Sequence, residues 1–209
     1  MNKKNILTIG VVALIAVLAV AGASAAWLTS SASADNSMTP ATVEIMVVEE
    51  NFTPPGAVQE GTVIDKDVSV TNLETGSDGR PGTYAYIRVA IVPVWRNADD
   101  SGTGLPVNNI QLNVLIGQGS KWFKHGDYYY YEDPVPPGET TEKLLDSYEV
   151  TSLSPEYEGK KLEINILASA IQAIGDAKYD WLKGLSKETV DAMLTSYEDF
   201  IARSTEPQP

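Results

Sequence analysis

Tyr84-Ala85-Tyr86-Ile87-Arg88-Val89-Ala90-Ile91-Val92 reads as a β-strand and decides the class of the fold. Ala85, Ile87, Val89 and Ile91 fall on one face of an extended chain, and Tyr84, Tyr86 and Arg88 on the other. Side chains alternate across a strand with a period of two, so the segment offers one aliphatic face and one mixed face. This places Tyr84, Tyr86 and Arg88 on a sheet face, in a structural rather than a catalytic capacity. Pro93 has no N–H and is expected to end the strand or to sit at an edge.

The same period recurs on both sides. Thr42–Val48 alternates through Val43, Ile45 and Val47, Asp67–Asn72 through Val68 and Val70, and Leu162–Ala170 through Leu162, Ile164 and Ile166. Gln111–Ile116 and Lys143–Tyr148 are further expected strands. Trp122-Phe123 and Tyr128–Tyr131 are aromatic runs around a turn at His125-Gly126-Asp127. Between them lie breakers: Pro54-Pro55-Gly56, the loop 76–82, Asn97–Gly102 and Pro134–Gly138. Many short alternating segments joined by such loops predict a mainly β domain over residues 40–175, an antiparallel β-sandwich or jelly roll.

The periodicity changes over residues 176–209. Ser186 is a good N-cap, and Val190, Met193, Leu194, Tyr197, Phe200 and Ile201 then share one helical face. An amphipathic C-terminal helix packed on the sandwich is expected, with a frayed tail from Thr205.

Residues 1–25 read as an export signal. Lys3 and Lys4 precede the uncharged aliphatic run Ile6–Ala21, and Ala23-Ser24-Ala25 supplies the small-x-small pattern for cleavage between Ala25 and Ala26. The alternative is an uncleaved anchor, since the uncharged stretch reaches Ala34 and a span needs about 20 residues. Residues 26–39 are small and polar after Trp27. They have two readings: a flexible arm, or a donor strand that pairs with an unfilled sheet edge of a neighbour. In the second, Ala26, Trp27, Leu28, Thr29, Ser30, Ser31, Ala32, Ser33 and Ala34 insert, with Trp27 or Leu28 as anchor and the small residues filling a narrow groove. Head-to-tail insertion does not close, so it builds a filament.

Charge narrows the partners. The chain carries 28 acidic against 15 basic residues, a formal net charge of −13. Nucleic acid and anionic lipid surfaces are disfavoured as partners, and the membrane enters only through the precursor signal. There is no cysteine, which removes thiolate chemistry and disulfides and fits export on a Gram-positive surface.

Catalysis is not expected. The single histidine, His125, cannot furnish a zinc site of two or three histidines, and no G-x-S-x-G elbow accompanies it. No cofactor is expected. Calcium is the softest candidate, through Asp99, Asp100 and the carbonyls of the following turn, although the spacing is not that of an EF-hand. Tyr128–Tyr131 can serve as a carbohydrate platform, but in a strand only two of the four tyrosines share a side, and packing with Trp122 and Phe123 accounts for them too.

Several segments together resemble a known family. Ala23-Ser24-Ala25-Ala26-Trp27 is similar to the start of exported proteins processed by the SipW-type signal peptidase. Gly61–Asn72 resembles the G-x-x-I-x-K-D-x-x-V-x-N segment of the TasA/camelysin group, and Ala85–Val89 its A-Y-[IV]-R-V strand. Gly126–Tyr131 followed by Pro137-Gly138-Glu139-Thr140-Thr141 resembles its tyrosine strand and P-G-E-T-T turn, and Leu162–Ala173 its late strand ending in Q-A. In order and spacing these span most of residues 20–173, and the biofilm-matrix branch is the nearest. The resemblance implies a jelly roll, secretion, and extracellular fibres built by donation of the N-terminal strand, with self as partner and an accessory fibre subunit as a second one. Two features depart from it: the helix after Asp176 has no counterpart, and the zinc motif behind the metallopeptidase label of some relatives is missing. The other class of function consistent with the sequence is a monomeric surface-binding module for carbohydrate or protein, using the tyrosine strand or the loop at 97–104.

Overall fold

The computed structural model of the chain describes residues 41–52, 59–117 and 119–205. Eight strands are present among them: β1 (Ile45–Glu50), β2 (Val63–Asn72), β3 (Ala85–Arg96), β4 (Ile110–Val114), β5 (Trp122–His125), β6 (Tyr128–Tyr131), β7 (Leu145–Val150) and β8 (Lys161–Gln172). They form two four-stranded sheets in the orders β1-β2-β7-β4 and β5-β6-β3-β8. Every strand pairing is antiparallel. The fold is the expected β-sandwich, and the strand orders interleave the two halves of the chain as in a jelly roll.

Period-two alternation decides what is buried. Ala85, Ile87 and Val89 of β3 are fully buried, as are Val68 and Val70 of β2. Val70, Ile87 and Val89 make the core between the sheets with Trp122, Tyr129, Tyr131, Val135 and Leu144. Each such side chain contributes on the order of 1.5–3 kcal/mol through removal from water. The tyrosine strand splits as its geometry requires. Tyr129 and Tyr131 face this inner core, while Tyr128 and Tyr130 join a second apolar cluster on the outer face. Trp122 opposes Tyr131 and Phe123 opposes Tyr130 across the hairpin, with ring centres 5.0 and 5.6 Å apart. The loop between them is only Gly126-Asp127. Gly126 has φ of 59°, the positive value that a two-residue hairpin with glycine first demands.

β3 is longer than its sequence signature: it runs through Pro93 to Arg96 and pairs with β8 throughout. Its other side bonds to β6 only at Arg88 and Val89. Between Val89, where the pairing with β6 ends, and Trp95, whose carbonyl accepts from Thr103, no strand pairs with that side, so a residue without an N–H is tolerated at Pro93.

The loops are pinned by Asn72, which is fully buried at the end of β2. Its amide nitrogen donates to the carbonyls of Thr83 at 2.7 Å and Val135 at 2.8 Å. Its backbone N–H donates to the Glu139 carbonyl, and its carbonyl accepts from Gly138. Gly82 passes so close to the Leu73 carbonyl that no Cβ fits.

The C-terminal region is helical but divided, in contrast to the single helix drawn from its periodicity. It comprises α1 (Ala177–Trp181), α2 (Lys187–Met193) and α3 (Tyr197–Thr205). Ser186 caps α2 as expected, accepting from the Thr189 N–H at 3.2 Å, and Ser196 caps α3 by accepting from Asp199 at 3.1 Å. The break between α2 and α3 is held by the sandwich. Thr195 N–H donates to the Glu132 carbonyl at 2.9 Å, and the Tyr86 hydroxyl donates to the Thr195 carbonyl at 2.9 Å. Apolar periodicity reports one face of a helix but not that a loop on the sheet captures its middle. Val190, Leu194 and Leu182 are buried against Tyr86 and Tyr130, so the helices cover one end of the outer face of the β5-β6-β3-β8 sheet. Burial, aided by Glu198 and other nearby acids, holds the Tyr86 hydroxyl far above the ordinary tyrosine range.

Candidate functional site

In a closed eight-strand jelly roll the first and last strands are neighbours in one sheet. Here β1 bonds to β2, in register from Ile45 opposite Asn72 to Glu50 opposite Asp67. β8 bonds to β3 along its whole length, from Ala85 opposite Gln172 to Arg96 opposite Lys161. β1 approaches β8 without a ladder between them. Among the described residues, the outer edge of β8 is therefore an unpaired strand edge of 12 residues. Such an edge exposes N–H and C=O groups that another strand can take up.

A cleft of about 330 Å³ lies along this seam. Glu49 and Phe52 of the β1 side, Lys66 and Tyr148 line it opposite Leu162–Ile166 of β8. Lys66 is its chemical oddity. It occupies an inward position of β2, in series with Ile64, Val68 and Val70, and is 4 % exposed. Its ammonium reaches the Glu49 carboxylate at 2.6 Å and lies 4.4 Å from the centre of the Phe52 ring. The long aliphatic stem lines the core while the charge is delivered to the cleft mouth. Tyr148 is buried beside it, and burial raises the pKa of its hydroxyl. The cleft is thus lined by apolar and aromatic groups together with Glu163, Asn165 and the Lys66–Glu49 ion pair, and bordered by a free strand edge. It places no nucleophile beside a base.

The other residues singled out from the sequence are placed as follows. Ala25 and the segment Ala26–Ala34 lie outside the described residues, as does the Pro54-Pro55-Gly56 break. Asp99 accepts from the N–H of Ser101 at 3.0 Å and from its hydroxyl at 2.6 Å, and these bonds hold its carboxyl below the usual range. Asp100 pairs with Lys161 at 2.9 Å. Both carboxylates thus serve the turn and its tie to β8, and no group of three or more metal-ligating side chains occurs among the described residues. His125 ends β5 with its ring edge-on to Tyr130 at 6.4 Å. Among the described residues, no helix is long and apolar enough to cross a membrane.

Sequence reasoning gave Lys66 no role, although it stands at the lysine of the G-x-x-I-x-K-D segment. The signal was present, since a charged residue stands in the alternating series Ile64, Lys66, Val68, Val70, but a period cannot say which inward position lies at a seam. Comparison with known proteins finds no matching family model, no matching curated protein and no matching solved structure.

Proposed function

We propose that the chain is a secreted structural subunit of an extracellular bacterial matrix fibre. In this reading residues Ala26–Ala34 of one copy enter the β1–β8 seam of the next and pair with β8. The observation that supports it most is the unpaired outer edge of β8 beside a cleft of about 330 Å³. Main-chain hydrogen bonds to that edge give affinity, and alternate side chains of the entering segment pack against the mixed polar and apolar lining of the cleft. The segment Thr29–Ala34 carries only threonine, serine and alanine, preceded by Trp27 and Leu28 as anchors. A strand donated in this way links copies head to tail without closing, which is how a fibre grows. The acidity of the chain keeps unpolymerised subunits apart in solution and argues for protein rather than nucleic acid as the partner. The partners are further copies of the chain and an accessory subunit that starts or anchors the fibre. No residue is assigned a catalytic role.

The test is negative-stain electron microscopy of residues 26–209 beside residues 38–209 at matched concentration. Filaments from the longer form alone support the reading. A synthetic peptide of residues 26–37, added to 38–209, is expected to raise its stability by about 2.7 kcal/mol at a hundredfold excess over Kd, while a scrambled peptide leaves it unchanged. Two monomeric forms and an inert peptide overturn it.

A further inference from the structure

Arg88 stands apart from the other arginines. Arg80 pairs with Asp78, Arg96 with Glu163 at 2.8 Å, and Arg203 with Asp133 at 3.0 Å. Arg88 makes no ion pair with any described residue, in a chain where acids outnumber bases 28 to 15. It is not a freely waving side chain. The alternation of β3 sends it to the outer face, where its guanidinium carbon lies 4.3 Å from the centre of the Tyr128 ring and 4.6 Å from that of Trp181. One ring comes from β6 and the other from α1, so the sheet and the helical region together fix the cation. Its Nε is buried and has no hydrogen-bond partner. Ring faces attract a guanidinium but accept none of its N–H donors well; the group is held in place, and its terminal nitrogens, which are not buried and bond to no described residue, are the donors an anion can reach.

The surroundings narrow the chemistry. Tyr128 and Trp181 are half-buried and flank the guanidinium, and the half-buried Phe123 stacks on Tyr130 on the same outer face. Leu167, opposite Ala90 in the ladder, and Val92 extend an apolar strip on the same outer face, 57 % and 39 % exposed. β3 is an interior strand between β6 and β8, so no free backbone edge is available there to take up a peptide. A phosphate dianion calls for more than one cation, whereas a carboxylate matches a single guanidinium fork. A carboxylated sugar has both parts: a ring with an apolar face to stack and a monoanion to pair.

We propose that the outer face of the β5-β6-β3-β8 sheet at Arg88 binds acidic saccharides, with the Arg88 guanidinium pairing a uronate carboxylate and Tyr128 and Trp181 stacking on the sugar rings. The site is independent of strand donation. It would give a matrix subunit, or a monomer, a grip on acidic polysaccharide through short-range pairing at Arg88, which acts where salt screens the chain's net charge of −13 beyond about 8 Å.

The experiment is calorimetric titration of the purified full-length chain in 0.15 M salt, with tetragalacturonate as probe. Its full methyl ester, tetraglutamate and inorganic phosphate are the controls. Tetragalacturonate is expected to bind, and the ester, which keeps the rings and loses the charge, to bind at least about tenfold more weakly. Arg88→Lys keeps a cation but loses the fork, and is expected to weaken binding by about tenfold or more with an unchanged melting temperature. Should that variant not fold, the comparison of acid with ester on the unaltered protein decides the matter. No binding of tetragalacturonate at millimolar concentration, equal binding of its ester, or unchanged affinity in folded Arg88→Lys overturns the proposal. So does equal or tighter binding of tetraglutamate or phosphate, which would assign the site to a peptide carboxylate or to a phosphate.

Discussion

Asn72 offers the sharpest test of how the sandwich is held. Its amide nitrogen donates to two backbone carbonyls, at 2.7 and 2.8 Å, in a site with no exposure, while its Oδ1 is buried without a partner. Asn72→Ala removes both bonds and leaves the Thr83 carbonyl without a donor, while the Val135 carbonyl keeps the N–H of Ala85. Each loss costs about 1–3 kcal/mol, and removal of the unsatisfied Oδ1 returns a similar amount once. A net loss of about 1–3 kcal/mol is expected. Asn72→Asp is nearly the same shape and is expected to be worse at neutral pH, because a carboxylate would face two carbonyl oxygens with no donor between them. Only its protonated form can donate, so the folded pKa of the introduced acid is raised above the unfolded value of about 3.9. The sign follows: the penalty is smallest below that value and grows by about 1.4 kcal/mol per pH unit above it, until the folded pKa is reached. Urea unfolding followed by the fluorescence of Trp95 and Trp122, both 1 % exposed, measures it at pH 4 and pH 7. An aspartate variant no less stable than the alanine variant at pH 7, or a difference that does not change with pH, would refute the donor assignment.

Three further outcomes are expected. Asp133 is pushed up by burial, but bonds from Thr195 and Lys121 and the charges of Lys121 and Arg203 outweigh this and set its carboxyl below the ordinary value. Its stabilisation of the α3 clamp is thus present above the unfolded pKa of about 3.9 and lost as the pH falls through the folded value. Hydrogen exchange of α3 should accelerate there before that of β3, and equal acceleration would count against the clamp. Ser186→Ala removes the cap of α2 and should cost about 1 kcal/mol, read from the same exchange profile; no change in α2 would sink it. Lys66→Met keeps the volume of the stem and frees Glu49, whose side chain is 39 % exposed and can hydrate, so stability should stay within about 1 kcal/mol or rise. A loss above about 3 kcal/mol would show that the ion pair, rather than the packing of the stem, holds the seam.

The sequence by itself determined which side chains share a face. The alternation in Ala85–Val89, the split of Tyr128–Tyr131 into two inner and two outer rings, and the cap at Ser186 follow from local backbone geometry, which neighbouring residues fix among themselves. Those short-range rules also marked most of the strands, with ends that moved by a few residues. Pairing is a different matter. That β1 bonds to β2 and leaves β8 open, that Lys66 occupies the seam, that Thr195 is drawn to Glu132, and that Arg88 meets Trp181 from far along the chain are decided by contacts between distant segments. A period of two assigns a face but names no partner, because any alternating strand satisfies it equally well. The selection among pairings is made by packing the whole core at once, and it is this that leaves an edge, a cleft and an unpaired guanidinium where they are.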